Sequence, residues 1–152
     1  MSCESTLPVA DHFDGIAVFC SDGRFATPSE EAIRTGLQLQ SCDHLAVPGG
    51  PAALVGHPEA LLPGDAVLEE VAFLVEAHEV RRAALVAHDG CAFYSHRLGL
   101  GPREIRQAQE EDLVRAAHRL RQRLPELQVE TFFAHRTDDG RLRLDPVAPH
   151  EG

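Results

Sequence analysis

Two short stretches of this sequence bring together side chains able to do chemistry. The first is Cys20-Ser21-Asp22-Gly23-Arg24, closing the apolar run GIAVF; the second is His88-Asp89-Gly90-Cys91, closing AALVA. Two thiolates and an imidazole suit Zn2+, which takes cysteine sulfur and histidine nitrogen tetrahedrally, and three protein ligands leave a fourth position for water or substrate. On that chemistry Cys20, His88 and Cys91 are the candidate metal ligands, and the open position marks a catalytic site. Asp22 and Arg24 fit beside such a metal. A carboxylate can accept a hydrogen bond from a bound hydroxide and orient it, while a guanidinium forks onto the carboxylate and keeps it ionised. A metal-bound water whose pKa falls to about 7 is then a nucleophile at neutral pH.

Taken singly, each signal has a plainer explanation. Cys20 alone reads as a small buried hydrophobe, Asp22 with Arg24 as a turn ion pair, and H-x-x-C as a chance spacing. The metal reading rests on both motifs falling at strand ends of one sheet, because ligands of open α/β sheets bind outside the carboxyl ends of the strands. Cys42 and His44 form C-x-H, but with no further ligands nearby they read as an edge thiol and a surface imidazole. His12, His57, His78, His96, His118, His135 and His150 follow no ligand spacing and read as surface or packing residues. Gly49-Gly50 reads as a tight turn. No G-x-G-x-x-G follows a strand and no Walker sequence occurs, so nucleotide binding has no support. C-x-x-x-R is shorter than a cysteine-phosphatase loop; a thiol-based transferase remains formally open.

The elements that must position these residues follow from apolar periodicity. GIAVFC reads as a buried strand, and TPSEEAIRTGLQL as a helix with Thr27 as N-cap, Pro28 in its first turn and Glu30 completing a capping box. DHLAVP reads as a second strand. Residues 48 to 65, rich in Pro and Gly, read as loop with room for one short helical turn. Val67, Leu68, Val71, Ala72 and Val75 recur at helical spacing in DAVLEEVAFLVEAH. AALVAH, apolar throughout, reads as a strand covered on both faces. PREIRQAQEEDLVRAAHRLRQRL reads as a long helix burying Ile105, Ala108, Leu113, Ala117, Leu120 and Leu124. QVETFFAH and RLRLDPV read as final strands joined across TDDG, where Asp139-Gly140 signals a turn. Strand alternating with helix implies an α/β fold with a mainly parallel central sheet and flanking helices, the last strand being open to an antiparallel placement.

Length and charge bound the function. At 152 residues the chain is expected to form a single domain over residues 1–152, with residues 1–13 an extended or flexible N-terminal segment. A formal charge of −10, with no basic cluster among aromatics, excludes nucleic acid and anionic membrane as expected partners. No apolar run approaches the roughly 20 residues of a membrane span, and the N-terminus has no basic-then-apolar leader pattern, so a cytoplasmic location is expected. The four cysteines are far apart, which suits metal binding or catalysis better than cross-linking.

CSDGR followed by a strand-borne HDGC resembles the paired signatures of the β-class carbonic anhydrases. DAVLEEVAFLVEAHEVRRAALVAH is similar to the segment leading into that family's second signature, and VETFFAHRTDDGRLRLDPV to its last strands and Gly turn; the resemblance covers most of residues 14 to 147. It implies one zinc held by Cys20, His88 and Cys91, a catalytic dyad of Asp22 and Arg24, and reversible hydration of carbon dioxide to bicarbonate by a zinc-bound hydroxide. In some family members the aspartate closes onto the metal instead, so the resemblance allows Asp22 either role.

Departures accompany it. Where the family commonly has Arg-Asn-Ala-Gly, this chain has Val47-Pro48-Gly49-Gly50, and Ala92 stands where a Gly usually follows the second cysteine. Nineteen residues precede Cys20, so the N-terminal arm that clasps the partner subunit in the family is expected to be nearly absent. The segment after Cys91 is also short for the family. These changes point to a homodimer with a reduced interface, through the sheet edge and residues 48 to 64, and to weak activity. The alternatives are a non-catalytic zinc-binding homologue and a hydrolase of another small electrophile, such as a CS2-like molecule.

Overall fold

A computed structural model describes residues 1–147, so His150 lies outside the described residues. Five strands, β1 (Gly15–Cys20), β2 (Cys42–Val47), β3 (Arg82–His88), β4 (Gln128–Arg136) and β5 (Leu142–Pro146), form one sheet in the order β2-β1-β3-β4-β5. The first four run parallel, and β5 pairs antiparallel with β4. The helices are α1 (Gly23–Gly36), α2 (Gly64–His78) and α3 (Pro102–Arg123).

The twofold period of a strand explains how both faces are covered. Ile16 and Val18 of β1, with Ala83 and Leu85 of β3, pack against α2 and α3 through Val67, Val71, Leu113 and Leu120. Ala17 and Phe19, with Ala84, Val86 and Phe132, face α1 through Ile33. Leu85, Leu113 and Leu120 are wholly buried; shortening such a leucine to alanine typically costs about 2–5 kcal/mol. A parallel sheet shielded on both sides needs uniformly apolar strands, and β1 and β3 are the two most apolar segments of the chain's centre. They are also the strands whose ends carry the two motifs.

Two boundaries differ from the sequence reading in ways that matter to the site. Helix α1 begins at Gly23, capped by Asp22, whose Oδ1 accepts from the backbone N–H of Arg24 at 3.0 Å. Thr27 therefore lies inside the helix, not at its cap, and Pro28 sits in the interior. The reason is local: Asp22 is itself a strong N-cap and lies immediately beyond the strand. Pro28 removes only one N–H from the second turn, a loss the helix absorbs near its solvent-facing start.

The second concerns residues 48 to 65. The expected short helical turn is a 3-10 segment, Gly50–Leu54, but all five of its residues are buried. Gly49 (φ +82°) and Gly50 (φ +55°) make the turn into it. A Cβ on Gly50 would lie 2.8 Å from the Cys20 backbone nitrogen, and one on Gly49 would lie 2.8 Å from the Phe93 ring. The tight turn is thus also a close approach, which presses this loop onto the end of β1.

Candidate metal centre

Cys20 ends β1, His88 ends β3, and Cys91 lies in the turn that follows. Since β1 and β3 are neighbouring parallel strands, their carboxyl ends emerge side by side, and the three ligand-type atoms lie within 4.8 Å of one another. The Cys20 and Cys91 sulfurs are 3.9 Å apart. All four cysteines are free thiols. Among the described residues this is the one grouping of three or more metal-type side chains.

The imidazole is held in a definite state. His88 Nδ1 lies 2.6 Å from the Asp89 carbonyl oxygen, which can only accept, so the proton sits on Nδ1 and Nε2 presents a lone pair. That Nε2 is buried and has no hydrogen-bond partner among the described residues. A buried acceptor left unmatched costs about 1–3 kcal/mol, and here it is left unmatched beside two sulfurs. The residues fit a thiophilic metal: the orphaned nitrogen and both sulfurs are the donor set, and the bond at Nδ1 is the outer contact that usually orients a ligating histidine.

Electrostatics couple the three side chains, and of the three only Cys20 is drawn towards its metal-binding form. The thiol of Cys91 donates to Cys20, the largest influence holding Cys20 towards thiolate; burial opposes this, while His88 and the backbone N–H groups of Asp22 and Gly49 assist. The same shared proton, followed by burial, pushes Cys91 up. Burial would lower the pKa of His88, but the adjoining Cys20 sulfur outweighs it and the net shift is upward.

Asp22 stands just beyond this cluster. Arg24 clasps it through Nε to Oδ1 at 3.1 Å and Nη2 to Oδ2 at 2.6 Å. Chiefly through that side-chain bond its pKa falls from 3.8 to about 2. The sign is that of a carboxylate favoured by the fold: the pair's contribution is full above about pH 4 and is lost as pH falls through about 2. Because the Arg24 side chain is 73% exposed, the effect on stability is small. The clearer readout is a carbon-13 titration of the Asp22 carboxyl. Arg24→Gln should return its midpoint towards 3.8, and an unchanged midpoint would remove Arg24 as the cause.

Several residues that support the centre carried no motif. Phe25 stacks on the His88 ring with centroids 4.5 Å apart. Gln109 on α3 donates to the His88 carbonyl at 2.8 Å, and Asp112, one turn on, accepts from Tyr94 Oη and His57 Nε2, both at 2.7 Å. Tyr94 also donates its backbone N–H to the Cys91 carbonyl at 3.1 Å, so Asp112 ties the Cys91 turn to the helix. Burial pushes the Tyr94 phenol up, keeping it a donor. A signal existed: Gln109 and Asp112 fall on the stripe that otherwise holds Ile105, Ala108, Leu113 and Ala116, and polar residues on a buried stripe call for partners. Asp112→Ala would strand the buried Tyr94 hydroxyl and the partly buried His57 ring. A loss of about 2–4 kcal/mol is expected in urea unfolding, with Asp112→Asn losing less; parent-like stability of Asp112→Ala would contradict the clamp.

Among the described residues, the other histidines and Cys42 join no grouping of three metal-type side chains. The Cys42 thiol is half-buried, lies 3.9 Å from the Leu39 carbonyl, and is pushed up to about 11 by burial. His44 sits 4.0 Å from Glu30. His78 pairs with Asp43 at 2.6 Å under a stacked Phe13, and His135 with Asp145 at 3.0 Å. A cavity of about 590 Å3 between α1 and β2 takes in Cys42 and His44 but lies apart from the three-ligand cluster.

A family model described as "Putative carbonic anhydrase" matches residues 10–141. The chain belongs to this carbonic anhydrase family. Solved β-carbonic anhydrases share its fold. CafD of the filamentous fungus Aspergillus fumigatus aligns with a TM-score of 0.56 at 15% identity, covering 93% of this chain and 94% of that one. CafA of the same fungus aligns with a TM-score of 0.54 at 19% identity, covering 90% and 77%. At such identities the likeness speaks for the fold alone, the α/β sheet with its antiparallel last strand. No curated protein matches the sequence. This carbonic anhydrase family member is therefore divergent, and no helix in its described residues is long and apolar enough to cross a membrane.

Proposed function

We propose that this chain is a zinc-dependent carbonic anhydrase that hydrates carbon dioxide reversibly to bicarbonate, with modest speed. One observation carries the reading: in a member of this family, His88 Nε2 is buried without a partner beside two cysteine sulfurs. Cys20, His88 and Cys91 would hold the zinc. When bound, zinc supplies a Lewis acid and a water acidic enough to react near neutral pH.

The chain's own residues do the rest. Asp22 is an acceptor kept ionised across the physiological range, able to accept a hydrogen bond from a reacting water or hydroxide and so aim its lone pair. Arg24 engages both Asp22 oxygens, which fixes the carboxylate's direction and supports Asp22 as an orienting group in preference to a fourth ligand. Phe25 covers one face of His88 and excludes water from it. The proton released on hydration passes to buffer.

A second reading, a zinc-binding homologue without catalysis, draws on one contact. In place of a polar loop, Gly49 approaches the Phe93 ring, and Phe93 is buried beside Cys91. That apolar lining offers no polar group to place a substrate. A pH-indicator assay of CO2 hydration separates the readings.

Residues 1–152 are taken as one domain that pairs as a homodimer. Strand β2 is a sheet edge with half-buried residues, which supports pairing there. Of residues 48 to 64, the five of Gly50–Leu54 already lie in the chain's own core, leaving Leu61 and Leu62 exposed for a partner. Light scattering at micromolar concentration should give twice the 16.6 kDa chain mass; monomer alone would refute the dimer.

A further inference from the structure

A second cavity, of about 370 Å3, adjoins the metal centre and is lined by Arg24, Arg136 and Arg141 against one carboxylate, Asp89. On a chain with a formal charge of −10, three arginines lining one cavity are against the general trend. Three elements supply them. Arg24 and Phe25 come from the first turn of α1, Asp89 from the link between His88 and Cys91, and the other two arginines from the β4–β5 hairpin.

The hairpin fixes the backbone of its pair. Thr137 donates its backbone N–H to the Arg141 carbonyl at 2.7 Å, and Gly140, at φ +81°, donates to Thr137 at 2.9 Å. Arg136 and Arg141 are thereby fixed on either side of one tight turn. Their charges are poorly answered. Arg136 has no ion pair or side-chain hydrogen bond among the described residues, and Arg141 has only a 3.6 Å approach to Asp139. Arg24 directs Nε and Nη2 to Asp22. Arg136, and to a lesser degree Arg141, are therefore left with donors to spare, which an anion in the cavity would engage.

The apolar part of the lining narrows the class of anion. Phe25 and Leu142, both packed on the α1-side core, form one wall. The volume lies in the range of small-molecule pockets, about 300–1,000 Å3, and a one-carbon anion would leave most of it empty. We propose that this cavity binds a small organic anion, its apolar body against Phe25 and Leu142 and its carboxylate or phosphate head held by Arg136 and Arg141. Arginine's planar fork matches either head group with two parallel hydrogen bonds. The site needs no metal, so it stands whether or not the carbonic anhydrase reading does. Through Phe25, stacked on His88, an occupant would touch the wall of the metal centre.

The test is a titration of the full-length protein by amide NMR with benzoate and with phenyl phosphate, alongside bicarbonate and inorganic phosphate as heads without bodies. Saturable shifts at residues 24–25 and 136–142 are expected with one or both aromatic anions, which also tells carboxylate from phosphate. The bodiless heads should bind more weakly. Arg136→Gln combined with Arg141→Gln should weaken binding about tenfold or more, the scale of a lost charge-assisted pair, while the melting temperature stays within a few degrees. Arg136→Lys, keeping charge and losing the fork, should fall between. The proposal is overturned by no saturable shift with either aromatic anion, by shifts confined to other residues, by binding unchanged in the double variant, or by bicarbonate and phosphate binding as tightly as the aromatic probes.

Discussion

Protein carrying His88→Ala should retain less than about a tenth of the zinc bound by the parent when both are purified without chelator and assayed by elemental analysis. Loss of an outer partner that merely orients a ligand typically lowers metal affinity 10- to 100-fold, so loss of a ligand should cost at least as much. The fold should survive. His88 is at the carboxyl end of β3, beyond the Leu85 and Val86 packing that locks this strand into both cores. Removing the imidazole also removes an unmatched buried nitrogen, so a circular dichroism spectrum like the parent's is expected beside the lost metal. Full zinc occupancy in His88→Ala would take His88 out of the ligand set.

The other large effect is on rate. Asp22→Ala should lower CO2 hydration by about 100-fold or more, the usual scale for losing one positioned hydrogen-bonding group in a reaction centre, while leaving zinc bound. The distinction follows from geometry: Asp22 is absent from the three-ligand cluster, and Arg24 takes both its oxygens. Loss of the metal together with the rate would instead make Asp22 an anchor, and a variant as fast as the parent would remove it from the mechanism. In the parent, stopped-flow hydration should rise with pH and remain slow for this class of enzyme, because Val47-Pro48-Gly49-Gly50 offers no polar side chain to place the substrate.

What the sequence made legible was whatever depends on local pattern. The uniformly apolar GIAVF and AALVA announced covered parallel strands, Asp139-Gly140 announced the last hairpin, and the two motifs at strand ends meet as neighbouring parallel strands require. The start of α1 was misplaced for a physical reason. Thr27-Pro28 and Asp22 both offer capping chemistry, and the choice was decided by the end of β1, a tertiary fact. The Gly50–Leu54 segment looked like a surface loop because its composition is that of a turn, yet contacts from α2 and α3 bury it. Gln109 and Asp112 were hidden by a helix pattern legible without them, and their partners, the His88 carbonyl, Tyr94 and His57, lie 18 to 55 positions away. The arginine-lined cavity needed the fold outright, since it joins α1 to a hairpin more than a hundred residues later.

The central claim is a metal centre with two sulfurs, one imidazole and an open fourth position. X-ray absorption at the zinc edge of the purified full-length protein tests it most directly. The account predicts about one zinc per chain, with two sulfurs at about 2.3 Å, one imidazole nitrogen at about 2.0–2.1 Å and one exchangeable non-protein ligand. No zinc, or a shell closed by a fourth protein group, would contradict it.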